Sequence, residues 1–360
     1  MALAKHAATR VFARHSALAV AVVLATSLGN AAEAKTLRVS YYIGASHPLV
    51  SAGITPFMEE VKNADVGLDF RVFPGGQLGR PGDSIRNLQN GLADIGLIVM
   101  SYHREEMPVS QVVNLPWELG AWENTHALLR AVGSPGPISE EWKQQEMVLL
   151  IATTNPPYEI HTGNRALPDL ASASGIKLRS PGGSYDEVLQ AVGANPVAIP
   201  TPETFDAISR GIVDGTVYAF SNWNSMRLSE ILNHTTANVR LPSPGGLTYA
   251  ISRKTFDSLN EAQQRALLEA GRTASIRAQR ALLEENETAL KTFKSEGLNT
   301  YEWPEQDLNT LKEKYTTIRN NWAKNVDASG RAGSETLETF NNMMKAAADN
   351  PEDFPPVKLH

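Results

Sequence analysis

The residue types that most often carry chemistry are either absent from this chain or poorly spaced for it. Eight histidines stand at positions 6, 15, 47, 103, 126, 161, 234 and 360, and no two of them have the spacing of a metal-binding pair. The chain has no cysteine, which excludes disulfides, thiolate metal sites and a cysteine nucleophile. A Gly-x-Ser-x-Gly elbow, a Walker loop and a dinucleotide-binding fingerprint are also missing. We therefore expect neither an enzyme nor a protein with a bound metal or cofactor.

The N-terminus has the layout of a secretory signal peptide. Three basic residues precede an apolar run over residues 17–25, and Ala32-Glu33-Ala34 supplies a small-residue cleavage site. The apolar run is much shorter than the roughly 20 residues that span a bilayer. We expect cleavage after Ala34 and a mature protein that is free in the periplasm.

The charge balance argues against nucleic acid as a partner. The chain has 33 basic and 39 acidic residues and a formal net charge of −6, whereas binding to nucleic acid requires a basic face. The negative total does not exclude an anionic ligand, because a single buried arginine sets the local charge of its site. The length of the chain favours two lobes over one.

Strands and helices alternate in two series. Apolar alternation at 37–43 and 68–73 and a continuous apolar run at 95–100 predict strands with helices between them, which indicates a parallel, doubly wound sheet. The pattern restarts near Met147, and segment 247–251 is typical of a strand that returns to the first lobe. The sequence thus predicts an α/β fold of two lobes joined by crossing strands, each lobe a mostly parallel sheet flanked by helices.

A long helix follows the returning strand. Ser258 and Glu261 have the spacing of a capping box, and the chain from there to Glu296 contains no proline. About 36 residues at 1.5 Å each give roughly 54 Å, which exceeds the ~30 Å of a small domain, so the helix should lie along both lobes. We divide the chain into a signal peptide (1–34), a first lobe (35–155), a second lobe (156–246), a return strand (247–257), a long helix (258–297) and C-terminal helices (298–360).

Several segments resemble the solute-binding subunits of tripartite ATP-independent periplasmic (TRAP) transporters, the DctP-like family. In that family a strand ends in Phe-Pro-x-x-Gln-Leu-Gly and a helix leads into Gly-x-x-Asp, as at 73–79 and 88–95 here. The similarity continues at 169–170, 175–181, 192–196, 212–215 and 249–252, and so covers nearly the whole mature chain. The resemblance implies the two-lobed periplasmic binding protein fold, a periplasmic location, and a small and a large membrane permease subunit as partners.

The resemblance implies one ligand-binding residue above the others. In family members the arginine that ends the Gly-x-Lys-x-Arg segment usually forms a bidentate salt bridge with the ligand carboxylate, and the matching residue here is Arg179. A planar guanidinium matches both carboxylate oxygens, and Arg179 ends a predicted strand, where open α/β sheets bind ligands. The alternative is an ion pair between Arg179 and a protein acid such as Asp186.

Residues 214–218 depart from the family pattern. Members that bind sialic acid or dicarboxylates often carry Asp-Gly-x-Glu-Asn there, and Tyr218 takes the place of the asparagine in this chain. The departure disfavours a polar floor suited to a sugar acid and favours an aromatic surface, with Trp223 and its neighbour Asn222 as further candidate contacts. For Tyr218 and Trp223 the alternative is packing in the core.

The other candidate contacts follow or lie on predicted strands: His47, Gln77, Ser101, Tyr102, Tyr158 and His161. The first-lobe candidates among them, His47, Gln77, Ser101 and Tyr102, could instead satisfy nearby backbone groups, and this is our preferred interpretation of His47 and Gln77. The second arginine that some family members use near Tyr158 has no match here, because this segment offers Glu159 and the later Arg165. We therefore expect a monocarboxylate rather than a doubly charged ligand.

The sequence as a whole predicts an extracytoplasmic solute-binding protein. It would capture one small organic monocarboxylate per monomer, with an aromatic or a 2-oxo or 2-hydroxy acid as the favoured class, and deliver it to TRAP permease subunits. We expect no cofactor, no metal and no nucleic acid. A binding protein for another transporter or for a sensor is the alternative, and a secreted enzyme on the same scaffold is less favoured.

Overall fold

The computed structural model describes residues 34–183, 185–242 and 245–352, so the predicted signal peptide, apart from Ala34, lies outside the described residues. In chain order the strands are β1 (Lys35–Ser40), β2 (Leu68–Phe73), β3 (Ile95–Val99), β4 (Met147–Thr154), β5 (Glu159–Thr162), β6 (Lys177–Ser180), β7 (Asn195–Ala198), β8 (Gly215–Tyr218), β9 (His234–Thr236), β10 (Gly246–Ser252) and β11 (Asn299–Tyr301). The α-helices are α1 (Thr55–Asn63), α2 (Ser84–Gln89), α3 (Ala121–Val132), α4 (Pro137–Gln144), α5 (Tyr185–Val192), α6 (Thr204–Ser209), α7 (Arg253–Asp257), α8 (Glu261–Ser295), α9 (Glu305–Ala328) and α10 (Gly333–Asp349).

The first lobe is built on a five-stranded sheet with the order β2-β1-β3-β10-β4. β1 and β3 are parallel, and β10 runs antiparallel to both β3 and β4. All five residues of β3 are buried, because strands flank it on both sides and helices cover the sheet, as its continuous apolar sequence predicts.

The second lobe is built on a six-stranded sheet with the order β11-β9-β5-β8-β6-β7. β6 lies inside this sheet, parallel to both β7 and β8, and Arg179 pairs with Val197 on one side and Thr216 on the other. β5 is antiparallel to β8. Each sheet is therefore mixed. β10 in the first sheet and β5 in the second, both next to a lobe crossing, run antiparallel to both of their neighbouring strands.

Two extended segments cross between the sheets, from β4 to β5 and from β9 back to β10, and helix α8 later carries the chain from the first sheet to β11 of the second. The two crossing segments are bonded to each other: the Tyr158 N–H donates to the Leu241 carbonyl at 2.9 Å, and the Leu241 N–H donates to the Tyr158 carbonyl at 2.8 Å. This pair of bonds fixes the crossing segments side by side.

Both lobes use the same Gly-x-x-Asp turn to enter a central strand. In the first lobe Asp94 Oδ2 accepts from the Arg38 backbone N–H at 2.8 Å, and in the second lobe Asp214 Oδ2 accepts from the Lys177 backbone N–H at 2.8 Å. Each aspartate therefore ties the start of one strand to the start of its neighbour, which leaves the opposite strand ends free to form a site.

Helix α8 runs along both lobes over a length of about 52 Å at 1.5 Å per residue. Leu267 belongs to the first-lobe core and Phe293 to the second-lobe core. The capping box is formed by Asn260 and Gln263, so the prediction of a box at Ser258 and Glu261 is wrong. Helix α7 ends just before Ser258, whose hydroxyl caps that helix by donating to the Thr255 carbonyl.

Candidate functional site

Arg179 lies in β6 with its side chain almost completely buried, at 1% exposure. Its Nε donates to the Ile199 carbonyl at 2.8 Å. Its Nη2 donates to Thr201 Oγ1 at 3.2 Å and, more weakly, to the Tyr102 hydroxyl at 3.4 Å. These bonds fix the plane of the guanidinium near the C-terminal end of β6.

No carboxylate of the described residues forms an ion pair with Arg179. The acid proposed as an alternative partner, Asp186, accepts instead from the Ser180 hydroxyl at 2.5 Å. The Arg179 guanidinium stacks over the Tyr218 ring, with 4.7 Å from Cζ to the ring centroid. Burial opposes its charge, but the surrounding tyrosine hydroxyls outweigh burial and raise the pKa of Arg179 above its ordinary value. The site therefore holds a fixed buried positive charge that lacks a counter-ion within the described part of the chain, and a bound anion would supply one.

A cavity of about 30 Å³ adjoins this guanidinium between the two lobes. Seven of the ten predicted contact residues line it: His47, Ser101, Tyr102, Tyr158, Arg179, Tyr218 and Asn222. A neighbouring cavity of about 160 Å³ shares part of its wall with the first: Tyr42, Ile43, His47, Thr201 and Asn222. The two volumes together form one cleft that opens from Arg179 outward.

Four tyrosines form the aromatic wall of the cleft. The rings of Tyr158 and Tyr218 are 5.8 Å apart, and those of Tyr42 and Tyr102 are 6.4 Å apart, measured between centroids. Burial raises the pKa of Tyr42, Tyr158 and Tyr218 above the ordinary tyrosine value. These hydroxyls therefore stay protonated at neutral pH and act as neutral hydrogen-bonding groups.

His47 enters the cleft from the start of a single π-helical turn at Leu49–Ile54. Its Nδ1 accepts from the Leu49 backbone N–H at 3.1 Å, so Nε2 carries the proton. Burial lowers the pKa of His47 to about 4, against a smaller opposing effect of a hydrogen bond with Asn222. The histidine is thus a neutral first-lobe group that meets the second lobe at Asn222.

Two buried polar side chains in the cleft lack partners among the described residues. The Ser101 hydroxyl is buried and makes no hydrogen bond, although its position after β3 places it at the cleft. Asn155, 4% exposed, likewise has no hydrogen bond from its carboxamide within the described part of the chain. An unpaired buried hydroxyl such as that of Ser101 is costly, and both residues line the cavity beside Arg179.

Three predicted contacts lie outside the cleft. Trp223 is a core residue, packed 4.7 Å from Phe293 between ring centroids. His161 has both ring nitrogens bonded, to Thr235 Oγ1 at 2.7 Å and to the Tyr218 carbonyl at 2.9 Å. Gln77 is exposed in the turn after β2 and does not line the cleft. His161 thus supports the Tyr218 backbone from outside the cleft, and Trp223 packs against His161.

Sequence reasoning missed other residues of the cleft wall: Tyr42, Ile43, Asn155, Pro181 and Thr201. A signal existed for most of them, because Tyr42 follows β1, Asn155 follows β4 and Pro181 follows β6, as ligand contacts do in open α/β sheets. Thr201 stands three residues after β7, and only the bend of the chain brings it back to Arg179.

The described residues contain neither a candidate metal site nor a candidate membrane-spanning helix. Ranges 34–183, 185–242 and 245–352 hold no cluster of three or more histidine and acidic side chains suited to a metal ion. In the same ranges no helix combines the length and the apolar character that crossing a membrane requires.

The sequence model of bacterial extracellular solute-binding protein family 7 matches residues 39–325. The chain is 24% identical over 325 residues to the C4-dicarboxylate-binding periplasmic protein DctP of Rhodobacter capsulatus, covering 89% of this chain and 94% of that protein.

Solved structures of TRAP solute-binding proteins share the fold. A TRAP solute-binding protein from a marine metagenome, specific for aromatic acid ligands and bound to metahydroxyphenylacetate, has a TM-score of 0.79 at 20% identity and covers 87% of this chain and 99% of its own. A TRAP periplasmic protein from Bordetella bronchiseptica with bound (R)- and (S)-mandelate has a TM-score of 0.77 at 22% identity and covers 86% of this chain and 99% of its own. These similarities confirm the predicted two-lobed α/β fold. The chain belongs to bacterial extracellular solute-binding protein family 7, the DctP-like solute-binding proteins of TRAP transporters.

Proposed function

We propose that this protein captures a small aromatic or 2-hydroxy monocarboxylate in the periplasm and delivers it to TRAP permease subunits. The observation that carries the proposal is the buried Arg179 guanidinium, which borders the cleft and forms no ion pair with the described residues. A ligand carboxylate would neutralise that charge in a setting that solvent screens poorly.

The bonds that Arg179 already makes restrict how a carboxylate could bind. Nε is occupied by the Ile199 carbonyl, so the side edge of the guanidinium is not available for a two-point contact. Nη1 forms no hydrogen bond with the described residues, and the bonds of Nη2, at 3.2 and 3.4 Å, are long. We therefore place the carboxylate end-on, with one oxygen at Nη1 and the other at Nη2.

The charge of the cleft favours one carboxylate over two. Among the described residues that line its two volumes, Arg179 is the only arginine or lysine. The Rhodobacter relative is named for C4-dicarboxylates, but a second carboxylate here would be buried without a cation, which is costly. One negative charge matches the single guanidinium.

The walls of the cleft favour an aromatic body. Tyr42, Tyr102, Tyr158 and Tyr218 offer ring faces and edges, and aromatic pairs gain about 0.5–1.5 kcal/mol beyond the burial of their area. The two similar structures bind an aromatic acid and mandelate, which supports the same class. The unpaired Ser101 hydroxyl and the Asn155 carboxamide would suit a 2-hydroxyl or 2-oxo group.

The cleft would have to widen to admit such a ligand. Small-molecule sites usually measure about 300–1,000 Å³, whereas the volumes beside Arg179 are about 30 and 160 Å³. Hinge movement about the crossing segments would open the cleft, and closure over the ligand would exclude water and present one form to the permease. Cleavage after Ala34 would release the protein into the periplasm for this cycle.

A thermal-shift screen followed by calorimetry tests the proposal. The panel contains benzoate, 3-hydroxybenzoate, mandelate and lactate, with succinate and malate as dicarboxylates. We expect an aromatic or 2-hydroxy monocarboxylate to raise the midpoint of unfolding most, because binding to the native state alone stabilises it. The Arg210→Ala variant, which removes an exposed arginine of the second lobe, should respond like the native protein. A stronger response to the dicarboxylates would overturn the monocarboxylate assignment.

A further inference from the structure

A second and much larger cavity lies apart from the cleft at Arg179. Its volume is about 610 Å³, inside the range of about 300–1,000 Å³ that small-molecule sites occupy. Its wall combines the first-lobe segment 115–124, the crossing segment 238–242 and the first turns of α9.

The two cavities lie on opposite faces of the crossing segment that leads from β4 to β5. Among the described residues, Asn155 alone lines both the large cavity and the volume beside Arg179. Its neighbour Pro157 lines the large cavity and Tyr158 lines the other, as consecutive residues of an extended segment do. The large cavity is therefore a separate site and not an extension of the cleft.

The wall of the large cavity is apolar with a few buried polar groups. Apolar side chains come from both lobes: Leu115, Leu119, Leu308 and Leu311. Asn124 is 6% exposed; its Nδ2 donates to the Val113 carbonyl at 2.9 Å, while its Oδ1 has no partner among the described residues. Tyr315 and Asn155, 5% and 4% exposed, also line the cavity, and their polar ends form no hydrogen bond in the described ranges. Asn155 and Tyr315 thus bring polar side chains to the wall of an apolar space, and Asn124 adds a buried carbonyl oxygen behind that wall.

The rim of the large cavity is positively charged. Arg240 and Lys312 line it and are exposed, and neither forms a salt bridge with the described residues. The one acid of the wall, Glu118, faces Arg319 with 3.8 Å between Oε1 and Nη2. The buried Glu159 carboxylate accepts from the Arg240 backbone N–H at 3.1 Å; the Arg240 charge acts to lower the pKa of Glu159 against the larger effect of burial, but the two side chains form no salt bridge in the described ranges. An apolar interior beneath two unpaired cations suits a molecule with an apolar body and one anionic end.

We propose that this cavity is a second binding site, which takes an amphipathic carboxylate with a short alkyl or aryl-alkyl tail. The tail would lie among the four leucines and the carboxylate would face Arg240 and Lys312. Asn155 and Tyr315 would orient polar atoms of the ligand. The site does not depend on the proposed function of the Arg179 cleft.

Calorimetric titration with octanoate tests the second site, carried out on the Arg179→Ala variant so that the first site cannot take the carboxylate. We expect saturable binding of one octanoate per chain. Reversing both rim charges (Arg240→Glu with Lys312→Glu) should weaken it about tenfold, equivalent to about 1.4 kcal/mol. The matched control is Lys324→Glu, an exposed lysine later in the same helix and outside the cavity, which should leave the affinity unchanged.

Filling the cavity with a larger side chain tests the second site independently of the rim charges. Leu308→Trp should abolish octanoate binding, whereas Asn309→Trp, on the exposed neighbour, should not, with circular dichroism as the check of fold for both. Absence of saturable octanoate binding in the Arg179→Ala variant would overturn the proposal. Equal octanoate affinity of the proteins with the charge-reversed rim and with the native rim would overturn the proposal as well. This outcome does not depend on whether Leu308→Trp folds.

Discussion

The hydroxyl of Tyr102, in the first lobe, lies 2.9 Å from Oγ1 of Thr201, in the second. The same hydroxyl accepts from the Thr201 backbone N–H at 3.0 Å and is within 3.4 Å of Arg179 Nη2. One atom of the first lobe therefore touches both the side chain that would bind the carboxylate and the loop that holds it. The contact joins the first lobe to the second beside Arg179.

Removing this hydroxyl should weaken ligand binding without unfolding the protein. A hydrogen bond contributes about 0.5–1.5 kcal/mol net, so Tyr102→Phe should lower affinity about three- to tenfold, mainly through faster dissociation. Tyr301→Phe is the control, because it also loses one tyrosine hydrogen bond, to His234 Nδ1 at 2.8 Å, but away from the cleft. Stopped-flow dissociation rates that are the same for Tyr102→Phe and the native protein would contradict the closure role.

His47 should make the protein sensitive to acid. Burial lowers its pKa to about 4 from the ordinary 6.5, so the unfolded chain takes up a proton at a higher pH than the folded protein does. The stability that His47 contributes is thus complete above pH 6.5 and is lost as pH falls toward 4, by up to about 1.4 kcal/mol per pH unit.

The test compares urea unfolding of the native protein and His47→Asn at several pH values, because asparagine can accept from the Leu49 N–H but does not titrate. The free energy of unfolding of the native protein should decrease relative to that of His47→Asn as pH falls from 6.5 to 4. A difference that stays constant over this range would show that His47 is not held neutral by the fold.

Gly271 allows helix α8 to approach β4. A Cβ built at this position would lie 2.3 Å from the Leu150 carbonyl oxygen, so Gly271→Ala must push the helix away from the sheet. Such overpacking costs about 1–3 kcal/mol, and chemical denaturation should show a loss of this size. Thr273→Ala, on the exposed side of the same helix, should change stability little. Equal stability of the two variants would refute the close approach.

The fold was largely predictable because apolar patterning is a local signal. The continuous run at β3 and the long proline-free segment of α8 show it, and both elements appear with nearly the predicted bounds. Strands β9 and β11 were missed, because three residues are too few for a period to show. The same limit explains the capping box, where Asn260 and Ser258 are both good cap residues and only the end of α7 selects Asn260.

The candidate site was predictable only in part. A motif pointed to Arg179, and strand ends pointed to Ser101, Tyr102 and Tyr158, all of which line the cleft. Gln77 and Trp223 follow strands in the same way, yet one lies in an exposed turn and the other in the core. Which way a side chain points after a strand depends on the following turn and on its neighbours in space, and neither is encoded in the spacing of residues.

Calorimetric titration of Arg179→Ala and Arg179→Lys with the best acid of the screen tests the central assignment most directly. Arg179→Ala removes the partner of a buried carboxylate, which costs about 3–5 kcal/mol, on the order of 10²- to 10³-fold or more in affinity. Arg179→Lys keeps the charge but loses the two-point contact and should lie between Arg179→Ala and the native protein. Circular dichroism should show both variants folded. If folded Arg179→Ala binds within about threefold of the native protein, less than about 1 kcal/mol, Arg179 does not bind the carboxylate.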